Sequence, residues 1–96
     1  MTGKQRAYLR GLANKIDAKY QLGKDGLTDA FVKQIDDALE ANELIKVHVL
    51  ENSLSDPRSI SDQLCKMLGA EGVQVIGSKF VIYRESENKK TIKIPK

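Results

Sequence analysis

Leu22-Gly23-Lys24-Asp25-Gly26-Leu27-Thr28 is where the chain changes period, and its reading sets the fold. Before it, Ala18–Leu22 alternates, with Tyr20 and Leu22 on one side and Lys19 and Gln21 on the other, which predicts a short strand. After it, Leu27, Phe31, Ile35, Ala38 and Leu39 recur at helical spacing, with Asp29, Lys33, Asp36, Asp37 and Glu40 on the outer arc. Thr28 is a good N-cap, Asp29 suits the positive end of the helix dipole, and Leu27 with Val32 can form a hydrophobic staple. Asn42 is a plausible stop. Between strand and helix, Gly23 and Gly26 bracket Lys24 and Asp25. Glycine lacks Cβ, so another backbone can approach the loop, and the helix behind it offers free N–H groups to an anion. Two glycines three apart also mark an ordinary tight connection.

Upstream, Tyr8, Leu9, Leu12, Ala13 and Ile16 give an amphipathic helix over about Lys4–Ile16. Its outer arc carries Lys4, Arg6, Arg10, Asn14 and Lys15, and Gly11 costs it roughly 1 kcal/mol relative to Ala. Downstream, Leu44–Leu50 reads as a strand, with Ile45, Val47 and Val49 opposite Lys46 and His48. Glu51–Asp56 is a polar loop. Asp56 and Pro57 open a third helix lined by Ile60, Leu64, Met67 and Leu68, with Gly69 and Gly72 as candidate terminators. Val73–Ile76 and Phe80–Arg84 form a hairpin around Gly77-Ser78-Lys79. Thr91–Ile94 alternates again and suggests a short edge strand ended by Pro95. The order α-β-α-β-α-β-β implies an α/β fold of α+β two-layer type: a mixed four-stranded sheet packed with helices.

The 96 residues fit one domain, 1–96. Leu, Ile, Val and Phe supply 26 of them, above the roughly 20% below which disorder is expected. A lone cysteine, Cys65, suits a reducing compartment and predicts a cytoplasmic location; no apolar run suggests a membrane partner or signal peptide. The net charge of +3 hides a segregation. Residues 1–24 hold six basic groups against one acid, residues 25–45 six acids against one base, and residues 79–96 six basic groups against two acids. One basic and one acidic face follow if the fold keeps these sets apart, and a basic face suits a polyanion. Both sets can equally be plain solvated surface.

No catalytic constellation is visible, so no enzyme is expected, and no cofactor. His48 lacks a serine or cysteine partner, one Cys and one His cannot close a zinc site, and there is no nucleotide-hydrolase phosphate loop. Cys65, Phe31, Phe80 and Tyr8 fit core stripes, and Tyr20 and Tyr83 are expected to be buried more than to stack bases.

Several segments together resemble the CRM domain family (chloroplast RNA splicing and ribosome maturation), and most closely its bacterial stand-alone YhbY-type members. They are Arg10-Gly11-Leu12-Ala13, the Leu22–Thr28 stretch, Leu39-Glu40 with Glu43-Leu44-Ile45-Lys46-Val47, and Val73-Gln74-Val75-Ile76-Gly77 followed by Tyr83-Arg84. The resemblance spans Arg10 to about Arg84. It implies a fold similar to the C-terminal domain of translation initiation factor 3. It also implies RNA binding through the Gly-x-x-Gly loop, with large-subunit ribosomal RNA or pre-ribosomal particles as partners and no DNA. By position, Gly23, Lys24, Asp25 and Gly26 fill the loop and Lys46 fills a basic strand position. Two departures lie beside that face: Asn14 stands where the family commonly has His, and Asp17-Ala18-Lys19 replaces a Lys-Pro-like entry to the first strand.

The candidate RNA contacts are therefore Gly23, Lys24, Asp25, Gly26, Lys46 and a basic track of Arg6, Arg10, Lys15 and Lys19. Asp25 repels phosphate and would face a base edge or point away. Arg84 can stack or bind phosphate, or form a local ion pair. An alternative is a protein-interaction module that docks a basic partner, such as a ribosomal protein, through Asp36, Asp37 and Glu40.

Overall fold

The computed structural model describes residues 1–51, 53, 56–90 and 92–94. In order these form α1 (Gly3–Ala13), β1 (Tyr20–Leu22), α2 (Asp29–Asn42), β2 (Leu44–Val49), α3 (Pro57–Leu68), β3 (Glu71–Ile76) and β4 (Lys79–Tyr83). The sheet order is β1-β2-β4-β3, with β1 parallel to β2 and the other two pairs antiparallel. Every strand and helix of the expected α-β-α-β-α-β-β order is present, and the α+β architecture stands.

The period-2 patterns sort onto two faces. Ile45, Val47 and Val49 of β2, with Phe80 and Ile82 of β4, pack against Phe31, Ile35 and Leu39 of α2 and Ile60 and Leu64 of α3. This is the two-layer core. Leu9 and Ala13 of α1 cover one end of the opposite face, over Leu44, Val73, Val81 and Tyr83. The helices begin as their caps dictate. Thr28 Oγ1 accepts from Phe31 N at 3.1 Å, and Asp56 caps Ser59 N ahead of Pro57 at N1. Leu27 and Val32 both pack on the first core. At the start of α1, Thr2 and Gln5 make a reciprocal capping box.

Several expectations are corrected. Helix α1 stops at Ala13 rather than Ile16, passing into single turns through Lys15 N to Leu12 O and Ile16 N to Ala13 O. Tyr8 and Met67 are exposed, because each lies one step off its buried stripe. Gly69 ends α3 in the left-handed region, whereas Gly72 lies within β3, paired with Ile82. The β3 register shifts between Gly72 and Gln74, which puts Val73 in the α1-side core and leaves Val75 in the other. Residues 92–94 form no strand; Ile92 and Ile94 pack as irregular chain on the α1-side core. Thr91 and Pro95 lie outside the described residues.

What replaces that strand is a clasp. Glu43, wholly buried, has φ +66, a strained conformation for a residue with Cβ. Its N–H donates to Leu39 O, and its carbonyl accepts from Arg84 N at 2.9 Å. Its carboxylate accepts from Ser86 N and Ile92 N, both at 2.9 Å. One turn back, Glu40 accepts from Ser86 Oγ at 2.5 Å and from the amides of Glu87 and Asn88. The chain after β4 is thus fastened to the end of α2. Glu43→Ala removes two buried acceptors at once and is expected to lower the unfolding free energy by about 2–4 kcal/mol. Glu43→Gly, freed of backbone strain, should recover about 1 kcal/mol of that loss. Urea denaturation measures both; a Glu43→Ala cost below about 1 kcal/mol would refute the clasp.

Candidate nucleic-acid interface

The Gly-x-x-Gly segment is a four-residue turn: Gly26 N donates to Gly23 O at 3.2 Å. Lys24 and Asp25 occupy its two central positions and are exposed. Gly26 has φ +67, which a Cβ would strain, although nothing crowds the site. Thr28 N donates to Gly26 O at 3.0 Å, so the turn runs straight into the capped start of α2. On its other side, Leu50 N donates to Leu22 O at 2.8 Å, tying the loop to the end of β2.

The register places a polar strip beside this loop. Gln21 is opposite His48, and His48 is opposite Lys79; Lys46 is opposite Val81, which is opposite Gln74. These side chains share the face that α1 covers only at its far end. The β3–β4 turn at Gly77-Ser78 reaches the same rim, where Val49 N donates to Ser78 O at 2.7 Å. Lys46, Asn14, Gln74, Ile76 and Lys79 line a shallow cavity of about 230 Å³ on this face. A second cavity, of about 390 Å³, opens on the other side of Lys46, with Lys15 and Lys19 at its edge. Lys15, Lys19 and Lys46 are therefore brought together, and Lys46 continues through Lys79 and His48 toward the loop. Lys24 stands at the loop's own tip.

The remaining candidates fall elsewhere. Arg10 is exposed on α1, at the covered end of the sheet. Arg6 Nε donates to Gly72 O at 3.1 Å, which draws it toward β3. Arg84 is withdrawn from any free surface role. Its Nη1 donates to Asp36 Oδ1 at 2.6 Å and to Leu68 O at 3.0 Å, and its Nη2 donates to Asp36 O at 3.0 Å. A planar guanidinium with three acceptors is holding α2 to the end of α3, so the ion-pair alternative describes it. Asp37 pairs with Lys33 at 3.5 Å, and Glu40 with the clasp. Asp36, Asp37 and Glu40, the three carboxylates of the docking alternative, thus have partners within the chain.

Lys79 and His48 escaped the sequence reading as contacts. Alternation gave His48 the face of Lys46, but only the hairpin register brings Lys79 beside it. The clasp had a readable signal: Glu40 and Glu43 sit at the C-terminal end of α2, where the helix dipole repels anions. Acids there need a compensating partner.

The sequence profile of the CRS1 / YhbY (CRM) domain matches residues 1–84. The chain belongs to the CRS1/YhbY (CRM) domain family. The Bacillus subtilis protein YqeI, named a probable RNA-binding protein, is 43% identical over 95 residues, 99% of each chain. An RNA-binding protein of Haemophilus influenzae is 35% identical over 96 residues, covering 100% of this chain and 96% of its own. The solution structure of the hypothetical protein SAV1595 from Staphylococcus aureus is similar over 99% of both chains, with 52% identity and a TM-score of 0.82. The match to the family model ends at Arg84, whereas the similarity to these relatives continues through the clasped segment. Among the described residues, no helix is long and apolar enough to cross a membrane.

The clasp has a pH signature. The Ser86 hydroxyl, then the Asn88 and Glu87 amides, hold the Glu40 carboxyl below its ordinary value. A depressed acid stabilises the fold above its unfolded value, and the contribution is lost as pH falls through the folded value. Wild type is expected to lose stability faster than Glu40→Gln as pH falls below the ordinary carboxylate value of 4.5. Thermal melts across that range test this; a pH-independent gap between the two proteins would contradict it.

Proposed function

We propose that the chain is a non-catalytic, cytoplasmic RNA-binding protein, acting as one domain over residues 1–96. It engages structured ribosomal RNA during assembly of the large ribosomal subunit. The observation that carries this reading is the sharing of one surface by the Gly23–Gly26 turn and the open strand face bearing Lys46 and Lys79, in a chain of the CRM family. That relatives are named RNA-binding proteins supports RNA as the partner. The turn admits a phosphate backbone against a helix N-terminus, and the lysines neutralise its charge. Phosphate contacts position the RNA without reading its sequence, so selectivity comes from RNA shape and from bases splayed out of a helix.

The alternative of a basic protein docking on the acidic helix gains nothing from the geometry. Asp36, Asp37 and Glu40 already have cationic or hydrogen-bonding partners within the chain.

The test is a titration with large-subunit ribosomal RNA fragments at several salt concentrations. Contacts to about five phosphates predict a log–log salt slope of roughly −3.5 to −4.5. A Gly23→Asp/Gly26→Asp double variant should lose binding while keeping its circular dichroism, since Asp tolerates a left-handed backbone. Retained binding would make the loop a structural turn only. Separately, Lys24→Ala should weaken all RNAs alike and flatten the slope by about 1. An unchanged slope removes Lys24 from the interface.

A further inference from the structure

Three cavities differ in what they can hold. The one between α2 and the chain after β4, about 420 Å³, is lined by Asp36, Asp37, Glu40, Glu85 and Glu87, with Arg84 already paired. Its charge rejects a nucleotide. The cavity on the open strand face, about 230 Å³, falls below the roughly 300–1,000 Å³ of ligand sites. The third, about 390 Å³, lies within that range and lies between the end of α1, the entry to β1 and the start of β2.

This third cavity has two unlike parts. Leu12, Ile16 and Leu44 make an apolar floor beside Tyr20 and Ile92, and the edge of β2 at Ile45 closes one side. Lys15, Lys19 and Lys46 stand around it, and among the described residues none of the three has an ion pair. Asp17 and Asn42 complete the rim. Asp17 is exposed, and its ionised carboxylate can only accept hydrogen bonds. Asn42 Nδ2 donates to Ala38 O at 3.1 Å, which leaves its Oδ1 as an acceptor.

We infer that this cavity receives one unstacked RNA base, with Lys15, Lys19 and Lys46 holding the phosphates on either side. The inference rests on the RNA-binding reading and deepens it by giving the bound segment a single-stranded nucleotide. An apolar floor suits a base face, and the lysines supply the charge complement of the backbone. The rim acceptors favour a base that carries an exocyclic amino group. Uracil offers a single N3–H flanked by two carbonyl oxygens, a poorer match to the Asp17 carboxylate.

The test uses the full chain with labelled methyl groups, titrated with adenosine 5′-monophosphate, uridine 5′-monophosphate and ribose 5-phosphate. The adenine nucleotide is expected to shift the methyls of Leu12, Ile16 and Leu44 saturably. Uridine monophosphate should bind about threefold or more weakly. Ribose 5-phosphate should leave those methyls unmoved. Ile16→Trp, which fills the cavity, should abolish the response; if that variant does not fold, the contrast among the three ligands decides alone. No methyl shift up to roughly 10 mM nucleotide, or equal shifts with ribose 5-phosphate, overturns the inference. An RNA fragment that moves the Gly23–Gly26 amides but not the cavity methyls refutes the base site while leaving the loop reading intact. Adenine binding without any RNA affinity does the reverse.

Discussion

Everything on the α2 side of the sheet is anchored by the backbone reversal at Glu43. The helix must end and the central strand must begin within a single residue, because Asn42 is helical and Leu44 is already paired with Tyr83. A left-handed backbone makes that corner, and glycine would make it without strain. Glutamate is there for its carboxylate, which points inward and gathers the amides of Ser86 and Ile92. The strain at φ +66 is offset by hydrogen bonds that glycine could not form. The same residue's carbonyl receives Arg84 N, so the end of α2, the start of β2, the end of β4 and the following chain meet at one point.

This arrangement explains the charge segregation. Within the acidic block over residues 25–45, Asp36 is paired with Arg84, Asp37 with Lys33 at the surface, and Glu40 and Glu43 with the chain after β4, while Asp25 and Asp29 stay exposed. The basic residues near the N-terminus and on the strands have few such partners. Acids paired within the chain, and lysines without an ion pair among the described residues, leave a chain of modest net charge with basic side chains on the open strand face. A net charge of +3 therefore understates the field an approaching polyanion meets.

The fold was legible because each element carries its own local mark. Thr28, Asp56 with Pro57, and the alternation in β2 each fix an element without help from the rest of the chain. The Gly-x-x-Gly turn and the lysines around it were equally visible. Misplacements occurred where distant pairing overrides local pattern. Tyr8 and Met67 look apolar at nearly the right spacing, yet one step of helix rotation exposes them. Ile92 and Ile94 alternate like a strand, but Glu43 takes the Ile92 amide that a sheet neighbour would have used. Lys79 joins Lys46 and His48 only through hairpin register, which composition does not encode. For Arg84 an ion pair stood beside phosphate binding as an alternative, but its acidic partner could not be named because it lies 48 positions earlier.

The pairing of β2 with β4 has a consequence for how the chain is made. Leu44 waits for Tyr83, and Val47 for Phe80, so the central ladder joins halves separated by most of α3 and β3. The first 50 residues contain two helices and two strands but no partner for one whole edge of β2. At a synthesis rate of roughly 5–20 residues per second, that edge stays open for several seconds after β2 emerges. Closing so long a loop adds little entropy per extra residue, but it delays the central antiparallel pair until β4 is available. Completion of the central ladder thus waits for β4, and a truncated product ending before β4 has an unprotected strand to offer its neighbours.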